Sequence, residues 1–321
     1  MTNDPANTSP SLPPDRGDVA TEKRNPRTGQ LHTLAVAECI EVIQREDHAV
    51  LAALEAARPS LVSLLEDAEP RFCRGGRVVY LGAGTSGRLG VLDASEAPPT
   101  FQVEPGRIIG LIAGGDAALR QSSEHKEDDP RGAAPELDAL ELTADDTIIG
   151  IAAGGSTPYA IGGLAHAKTS TAPPLTAMIT CTSIERQTFM DHVITLDTGP
   201  EVLTGSTRMK AGTATKLALN QISTTLMIRE GRVFENLMVD LRATNDKLRD
   251  RAARIVSTLT GLDRAAALDA VNAAGGSVKT AVAMTRLGLD RQAAEQRMAE
   301  ANGRLGTLLG ETNRSTTKDQ G

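Results

Sequence analysis

The sequence predicts an α/β protein: a five-stranded parallel sheet covered by helices on both faces, preceded by helices and followed by a small helical module. Three observations predict it. Five short runs rich in β-branched residues, Val78 to Leu81, Ile108 to Ile112, Thr147 to Ile151, Leu175 to Thr180 and His192 to Leu196, alternate with helical stretches, the pattern of βα units that build such a sheet. Two of these runs lead into turns rich in glycine and hydroxyls, "GAGTSG" and "GGSTP", at strand ends of the kind where open α/β sheets bind ligands. After Asn245 the chain becomes rich in Ala, Leu and Arg and loses the strand pattern.

Taken in order, residues 1–30 are rich in Pro, Asn, Asp, Ser and Arg without periodicity, and read as a flexible segment. Order is expected from near Thr33. From there to Phe72, Leu34, Ile40, Ile43, Val50, Leu54, Leu61 and Leu65 recur at mostly helical spacing with Pro59 as a break, which predicts two or three helices. The five strand runs follow, then a long helix from about Thr207 to Glu230, bounded by Gly231. Breaks at 260–263, 273–276 and 286–290 fit three short helices in the tail, where amphipathic packing rather than chemistry is expected. The division is therefore a flexible 1–30, an α/β unit with leading helices at 31–245, and a helical module at 246–321.

A chain of 321 residues suffices for one large or two modest domains. The net charge of −7, with no Trp, two Tyr and four Phe, argues against a nucleic-acid partner. It leaves room for an anionic small molecule, because backbone N–H groups at a helix N-terminus hold phosphate even in an acidic protein. Cys39, Cys73 and Cys181 lie far apart, and the five histidines show no ligand spacing, so neither a disulfide framework nor a zinc site is expected. With no apolar run near the roughly 20 residues of a membrane span and no secretory h-region, the expected location is the cytoplasm.

The stretch "YLGAGTSGRLG" has G-x-G-x-x-G at Gly82, Gly84 and Gly87. A dinucleotide fold would place an acidic residue about 20 positions later, at the end of the second strand. Asp116 stands 29 positions past Gly87, a poor match. Thr85 and Ser86 instead put two hydroxyls at a helix start, where side-chain and backbone donors converge on a phosphate monoester. A second turn of the same make carries Gly154, Gly155, Ser156 and Thr157, with Pro158 in the helix's first turn. Either turn alone fits an ordinary βα connection; their recurrence at strand carboxyl ends favours a phosphate cradle over chance turns.

Three stretches hold candidate charged groups. In "VLDASEAPPTF", Asp93 and Glu96 are three apart on one helix face, and Pro98 and Pro99 are expected to end the helix, leaving Glu96 where the dipole disfavours a negative charge and suits a general acid. "RQSSEHKEDDPRG" holds Glu124, Glu127, Asp128 and Asp129 in a mixed charge run, a pattern that is usually a solvated face. In "TGPEVLTGSTRMKAGTATKLALNQ", Ser206 and Thr207 are expected to cap the long helix, while Arg208, Lys210 and Lys216 stand in its first turns. Cations there run against the dipole preference, which suggests anion binding.

Together, "YLGAGTSGRLGVLDASEAPPTF", "GLIAGGDAAL", "GIAAGGSTPY", "EVLTGSTRMKAGTATKLALN" and "GRVFENLMVDLRATNDKL" closely resemble the N-acetylmuramic acid 6-phosphate etherases. The resemblance begins near "TEKRNPRTGQL" and extends into the helical tail. It implies a sugar isomerase (SIS) type three-layer α/β/α sandwich, a homodimer with its active site near the subunit interface, and a role in cell-wall amino-sugar catabolism. It also implies cleavage of the D-lactyl ether of the sugar phosphate by elimination and rehydration, without metal or other cofactor, giving N-acetylglucosamine 6-phosphate and D-lactate. The family's acid matches Glu96 and its base Glu127. The phosphate cradle matches Gly84, Thr85, Ser86, Gly155, Ser156 and Thr157, with Ser206, Thr207 and Lys210 nearby. Two departures stand out: Gly154 replaces a frequent Ser, and Ala97 a frequent Cys. A non-catalytic sugar-phosphate sensor and an aldose–ketose phosphate isomerase share this core; the presence of both Glu96 and Glu127 speaks against the sensor. A glutamine-dependent aminotransferase is disfavoured because Thr2 rather than Cys follows Met1.

Overall fold

In a computed structural model of the chain, the described residues are 15–121, 124–241, 243 and 245–311. Five parallel strands, β1 (Val78–Gly82), β2 (Ile108–Ile112), β3 (Thr147–Ile151), β4 (Leu175–Thr180) and β5 (His192–Thr195), form one sheet in the order β2-β1-β3-β4-β5. All five stand where the β-branched runs predict them. Along β1, Val78 and Tyr80 enter one core while Val79 and Leu81 enter another. This period of two, with both faces covered, is why the strand reads as an unbroken apolar run.

One face is covered by α1 (Val36–Cys73), α2 (Gly84–Phe101) and α6 (Lys210–Glu230). The opposite face carries α4 (Ala134–Ala139) and α5 (Pro158–Ala167), with the short α3 (Glu124–Glu127) packed against α5. A hairpin of β6 (Val233–Phe234) and β7 (Leu237–Met238) leads to α7 (Asp246–Thr260), α8 (Arg264–Ala273), α9 (Val278–Leu287), α10 (Arg291–Glu300) and α11 (Leu305–Leu308). These build a separate apolar cluster that draws in Phe234, Val239 and Leu241 from before residue 245.

Four expectations need correction. The two or three helices expected before the sheet are one helix of 38 residues, with Pro59 and Pro70 inside it. An interior proline costs about 3 kcal/mol; here Val50, Leu54, Leu61, Leu64 and Phe72 form one continuous buried face whose packing offsets it. By length and composition alone α1 could cross a bilayer, yet that face packs against α6 and β5. The tail holds four helices and a final single turn rather than three, with Asn245, Asp263, Ser277 and Asp290 as side-chain N-caps. The chain is also ordered well before Thr33: Thr21 and Asn25 are buried, and Thr28 Oγ1 donates to the Val202 carbonyl at 2.8 Å. Residues 1–14 of the expected flexible segment lie outside the described residues.

The fourth correction is at α2, which runs through Pro98 and Pro99 to Phe101. Prolines keep helical φ; they only remove the N–H groups that would have bonded the carbonyls of Ala94 and Ser95. The helix closes instead at left-handed Gln102, whose N–H donates to the Pro98 carbonyl at 2.9 Å.

Candidate functional site

Because all five strands are parallel, their carboxyl ends share one edge, and the helices that follow β1 and β3 start there. Gly82 pairs with Ile151 in register, so the turns at 83–86 and 152–157 leave the sheet side by side. The first turn is tight for a steric reason. A Cβ on Gly82 would lie 2.7 Å from the Gly87 nitrogen, and one on Gly87 would lie 2.6 Å from the Gly82 carbonyl oxygen. The second turn needs Gly155 for two reasons: its φ is +71°, and a Cβ would meet Ile184 Cγ2 at 2.4 Å.

The N-caps are Ala83 for α2 and Thr157 for α5, and neither helix receives a side-chain capping bond. Their first-turn N–H groups therefore point out of the sheet edge uncapped, the arrangement that binds anions. Thr85 and Ser86 stand in the first turn of α2, and Ser156 and Thr157 immediately precede α5. Thr85, Ser86, Ser156, Thr157, Ser206 and Thr207 make no side-chain hydrogen bond to any described residue. Thr180 Oγ1, by contrast, donates to the Ala153 carbonyl, and Thr182 Oγ1 accepts from Ala20 N–H. Thr85 also reaches the third stretch, since a Cβ on Gly212 of α6 would lie 3.5 Å from Thr85 Cγ2.

The third stretch departs from expectation. Helix α6 begins at Lys210, and its anion is internal: the buried Glu201 carboxylate accepts from the N–H groups of Lys210 at 3.1 Å and Ala211 at 2.9 Å. Burial pushes the Glu201 carboxyl up, against the pull of those backbone donors and of Lys210. Ser206 and Thr207 are not its side-chain caps; the Thr207 carbonyl accepts from Gly212 N–H at 2.8 Å.

Lys210 is fully buried, and its Nζ lies 3.0 Å from Glu46 Oε2 on α1. Glu46 also accepts from Arg27 Nη2 at 2.7 Å and Asn25 Nδ2 at 2.8 Å. The Arg27 bond is the main cause that holds its carboxyl down at about 2, with Lys210 and Asn25 adding to it. The ammonium expected beside the phosphate is thus engaged by Glu46 on α1.

Asp93 and Glu96 also part company. Asp93 turns inward, accepting from Tyr80 Oη at 3.0 Å, Asn220 Nδ2 at 2.7 Å and Ser223 Oγ at 3.1 Å, which ties α2 to β1 and α6. Burial pushes its carboxyl up in spite of those donors. Glu96 is exposed, in the interior of α2 rather than at its end. It stands twelve positions after Gly84, which at 1.5 Å per residue is about 18 Å along the helix from the first loop.

Glu127 is half-buried on α3, and the chain just after it lies on the start of α5. A Cβ on Gly162 would lie 1.8 Å from the Pro130 carbonyl oxygen, and one on Gly132 would lie 2.9 Å from Tyr159 Cδ2. Those contacts hold Glu127's segment against α5 of its own chain.

Sequence reasoning missed Glu201, Glu46 and Asn25. The cations that break the dipole rule at 208–216 were the available signal, since buried charges demand partners. Among the described residues no group of three or more His, Cys, Asp and Glu is arranged to hold a metal ion.

The parallel sheet and its two open helix N-termini define the class, an α/β protein of the sugar isomerase (SIS) type. In agreement, the profile of the glucokinase regulatory protein N-terminal SIS domain matches residues 60–168. A phosphoheptose isomerase from Neisseria gonorrhoeae aligns over 60% of this chain and 98% of its own, at 14% identity and a TM-score of 0.40. Sequence relatives are far nearer. The N-acetylmuramic acid 6-phosphate etherase of an Exiguobacterium species is 48% identical over 83% of this chain and 90% of its own length. That of Mycolicibacterium smegmatis is 47% identical over 84% and 90%. This chain belongs to the N-acetylmuramic acid 6-phosphate etherase family.

Proposed function

We propose that the protein cleaves the D-lactyl ether of N-acetylmuramic acid 6-phosphate, giving N-acetylglucosamine 6-phosphate and D-lactate. The observation that carries this reading is 48% identity to an etherase across 90% of that relative's length. The geometry supports it: two uncapped helix N-termini and their uncommitted hydroxyls suit a phosphate monoester. Gly84, Thr85 and Ser86 would serve it from the first loop, Gly155, Ser156 and Thr157 from the second, with Ser206 and Thr207 at the side.

The chemistry follows from the open-chain sugar. Its C1 carbonyl acidifies the C2 proton. Glu127 removes that proton, the C2–H electrons form the C2=C3 bond, and the C3–O bond breaks with its electrons passing to the lactyl oxygen. Glu96 protonates that oxygen, and D-lactate leaves. Water then adds at C3 and a proton returns to C2, so the sum is one ether and one water in, one sugar phosphate and one lactate out. This division of labour needs two carboxyl groups in opposite protonation states.

Glu96 stands about 18 Å along α2 from its own first loop, farther than one hexose phosphate spans, so we assign it to the site of a second copy. Exposed Leu92 shares α2 with Glu96, and exposed Leu51 and Val62 lie on α1 in the same layer, apolar surface of the kind that marks an interface. The reading therefore includes a homodimer with Glu127 supplied in cis and Glu96 in trans. We also propose residues 246–321, of which 312–321 lie outside the described residues, as a helical module following the 31–245 unit, supported by the separate apolar cluster of the described part. A cytoplasmic location is supported by the three free thiols.

Incubation of purified protein with N-acetylmuramic acid 6-phosphate, with D-lactate assayed, tests the reaction. Lactate is expected; its absence while sugar phosphate still binds would leave a sugar-phosphate sensor. Replacing Glu127 by Gln is expected to slow C2 proton exchange with deuterated water by roughly 10²- to 10⁴-fold. Glu96→Gln is expected to slow lactate release while exchange persists.

A further inference from the structure

Helix α2 gives up two of its own hydrogen bonds next to Glu96. Pro98 and Pro99 have no N–H, so the carbonyls of Ala94 and Ser95 receive no bond from the following turn. The carbonyls of the last turn lack intrahelical donors in any helix. A group that must deliver a proton to one atom needs a backbone that holds still, so this part of α2 has to be fixed from outside.

Two anchors flank Glu96, which stands three positions after Asp93 and five before Phe101. On the near side Asp93 is bound by Tyr80, Asn220 and Ser223. On the far side the anchor is Arg232, just past the left-handed Gly231 that closes α6. Its Nη1 donates to the carbonyls of Gln102 at 3.0 Å and Phe101 at 3.3 Å. One guanidinium nitrogen thus takes up two carbonyls that the end of α2 leaves open.

The guanidinium is itself held in place. Its side chain is only 12% exposed, Nε donates to Glu230, Nη2 donates to Glu104 at 3.4 Å, and Asp240 Oδ2 lies 3.6 Å from Nη1. Two further cations complete the network. Arg107 Nη2 donates to Glu230 Oε1 at 2.9 Å, and Lys279 of α9 pairs with Asp240. Arg232 is therefore backed by the end of α6 and, through Asp240 and Lys279, by the helical module.

We propose that Arg232 is a positioning residue for Glu96: by holding the carbonyls at the end of α2 it fixes the proline-interrupted turns that carry the acid. The assignment rests on the etherase reading given above, in which Glu96 protonates the lactyl oxygen. It also gives the helical module a mechanical link to that acid.

The test uses the division of labour between the two glutamates. Arg232→Met and Arg232→Gln delete the guanidinium, and both should fold, because Glu230 and Asp240 keep Arg107 and Lys279 as partners. In each, lactate release is expected to slow roughly 10- to 100-fold, as misplacement of a catalytic group does. C2 proton exchange with deuterated water, which Glu127 performs, is expected to stay nearly unchanged. Arg232→Lys keeps a charged donor and should restore the ratio of lactate release to C2 exchange. A general loss of structure would lower both rates together. An unchanged ratio in Arg232→Met or Arg232→Gln would overturn the proposal. So would a ratio in Arg232→Lys as low as in Arg232→Met, since packing rather than donation would then be at work. Amide hydrogen exchange in peptides spanning 94–103 is read alongside and should quicken in Arg232→Met. Quickened amides in a protein whose unaltered form releases no lactate would sink the etherase reading alone, whereas unchanged amides would remove the clamp itself.

Discussion

Three helices begin at the ligand edge of this sheet, and they differ in what meets their first N–H groups. Those of α2 and α5 have no side-chain cap. Those of α6 meet the buried carboxylate of Glu201, and the Lys210 ammonium behind them is matched by Glu46. The difference teaches that a basic, hydroxyl-rich helix start does not by itself mark a ligand site. What distinguishes the open starts is that their donors have no internal partner, and this depends on residues far away in the chain.

The largest expected effect separates the two kinds of start. Lys210→Met removes one partner of a buried ion pair and should cost about 3–5 kcal/mol of stability, measured by chemical denaturation, while the surviving folded protein keeps its KM for sugar phosphate. A large rise in KM without loss of stability would return Lys210 to the phosphate site and break the comparison.

A somewhat smaller effect is expected from pH. The folded-state pKa of Glu46 is depressed from 4.5 to about 2, so its contribution is complete above about pH 4.5 and is lost as the pH falls through 4.5 toward 2. The shift corresponds to about 3 kcal/mol. The stability difference between the unaltered protein and Glu46→Gln should therefore shrink across that window, as read from urea midpoints at a series of pH values. A constant difference would show that Glu46 is not the titrating group.

The smallest effect sharpens the open side. Ser156→Ala should raise KM and weaken inorganic phosphate binding about tenfold, the worth of one charge-assisted hydrogen bond. Its urea midpoint should stay within error, because the Ser156 hydroxyl makes no bond to any described residue.

How much of this was legible in sequence follows from what each feature depends on. The strands were legible because both faces of a central parallel strand are buried, so Val78 to Leu81 or Thr147 to Ile151 need no partner information to read as strands. The two glycine turns were legible because steric demand at Gly82, Gly87 and Gly155 admits little else. Prolines misled at Pro59 and Pro98: local propensity argued for a break, and tertiary packing of one continuous face prevailed.

The α6 start was illegible for the opposite reason. Its partners, Glu46 and Glu201, lie 164 and 9 positions from Lys210, and no periodicity links a buried carboxylate to the cation it neutralises. Glu96 combined both cases. The motif around it was readable, whereas the distance that assigns it to a second copy appears only once α2 is seen to run unbroken from Gly84.

That assignment is the central claim, and mixing two inactive variants tests it most directly. Glu96→Gln and Glu127→Gln protein, each inactive alone, would be unfolded together and refolded so that mixed dimers form, and D-lactate release assayed. With Glu96 acting across the interface, half of the dimers are mixed and one of their two sites carries both glutamates, so about a quarter of the unaltered activity should return. Return of no activity from dimers shown to be mixed would place Glu96 and Glu127 in the same chain's site and contradict the account.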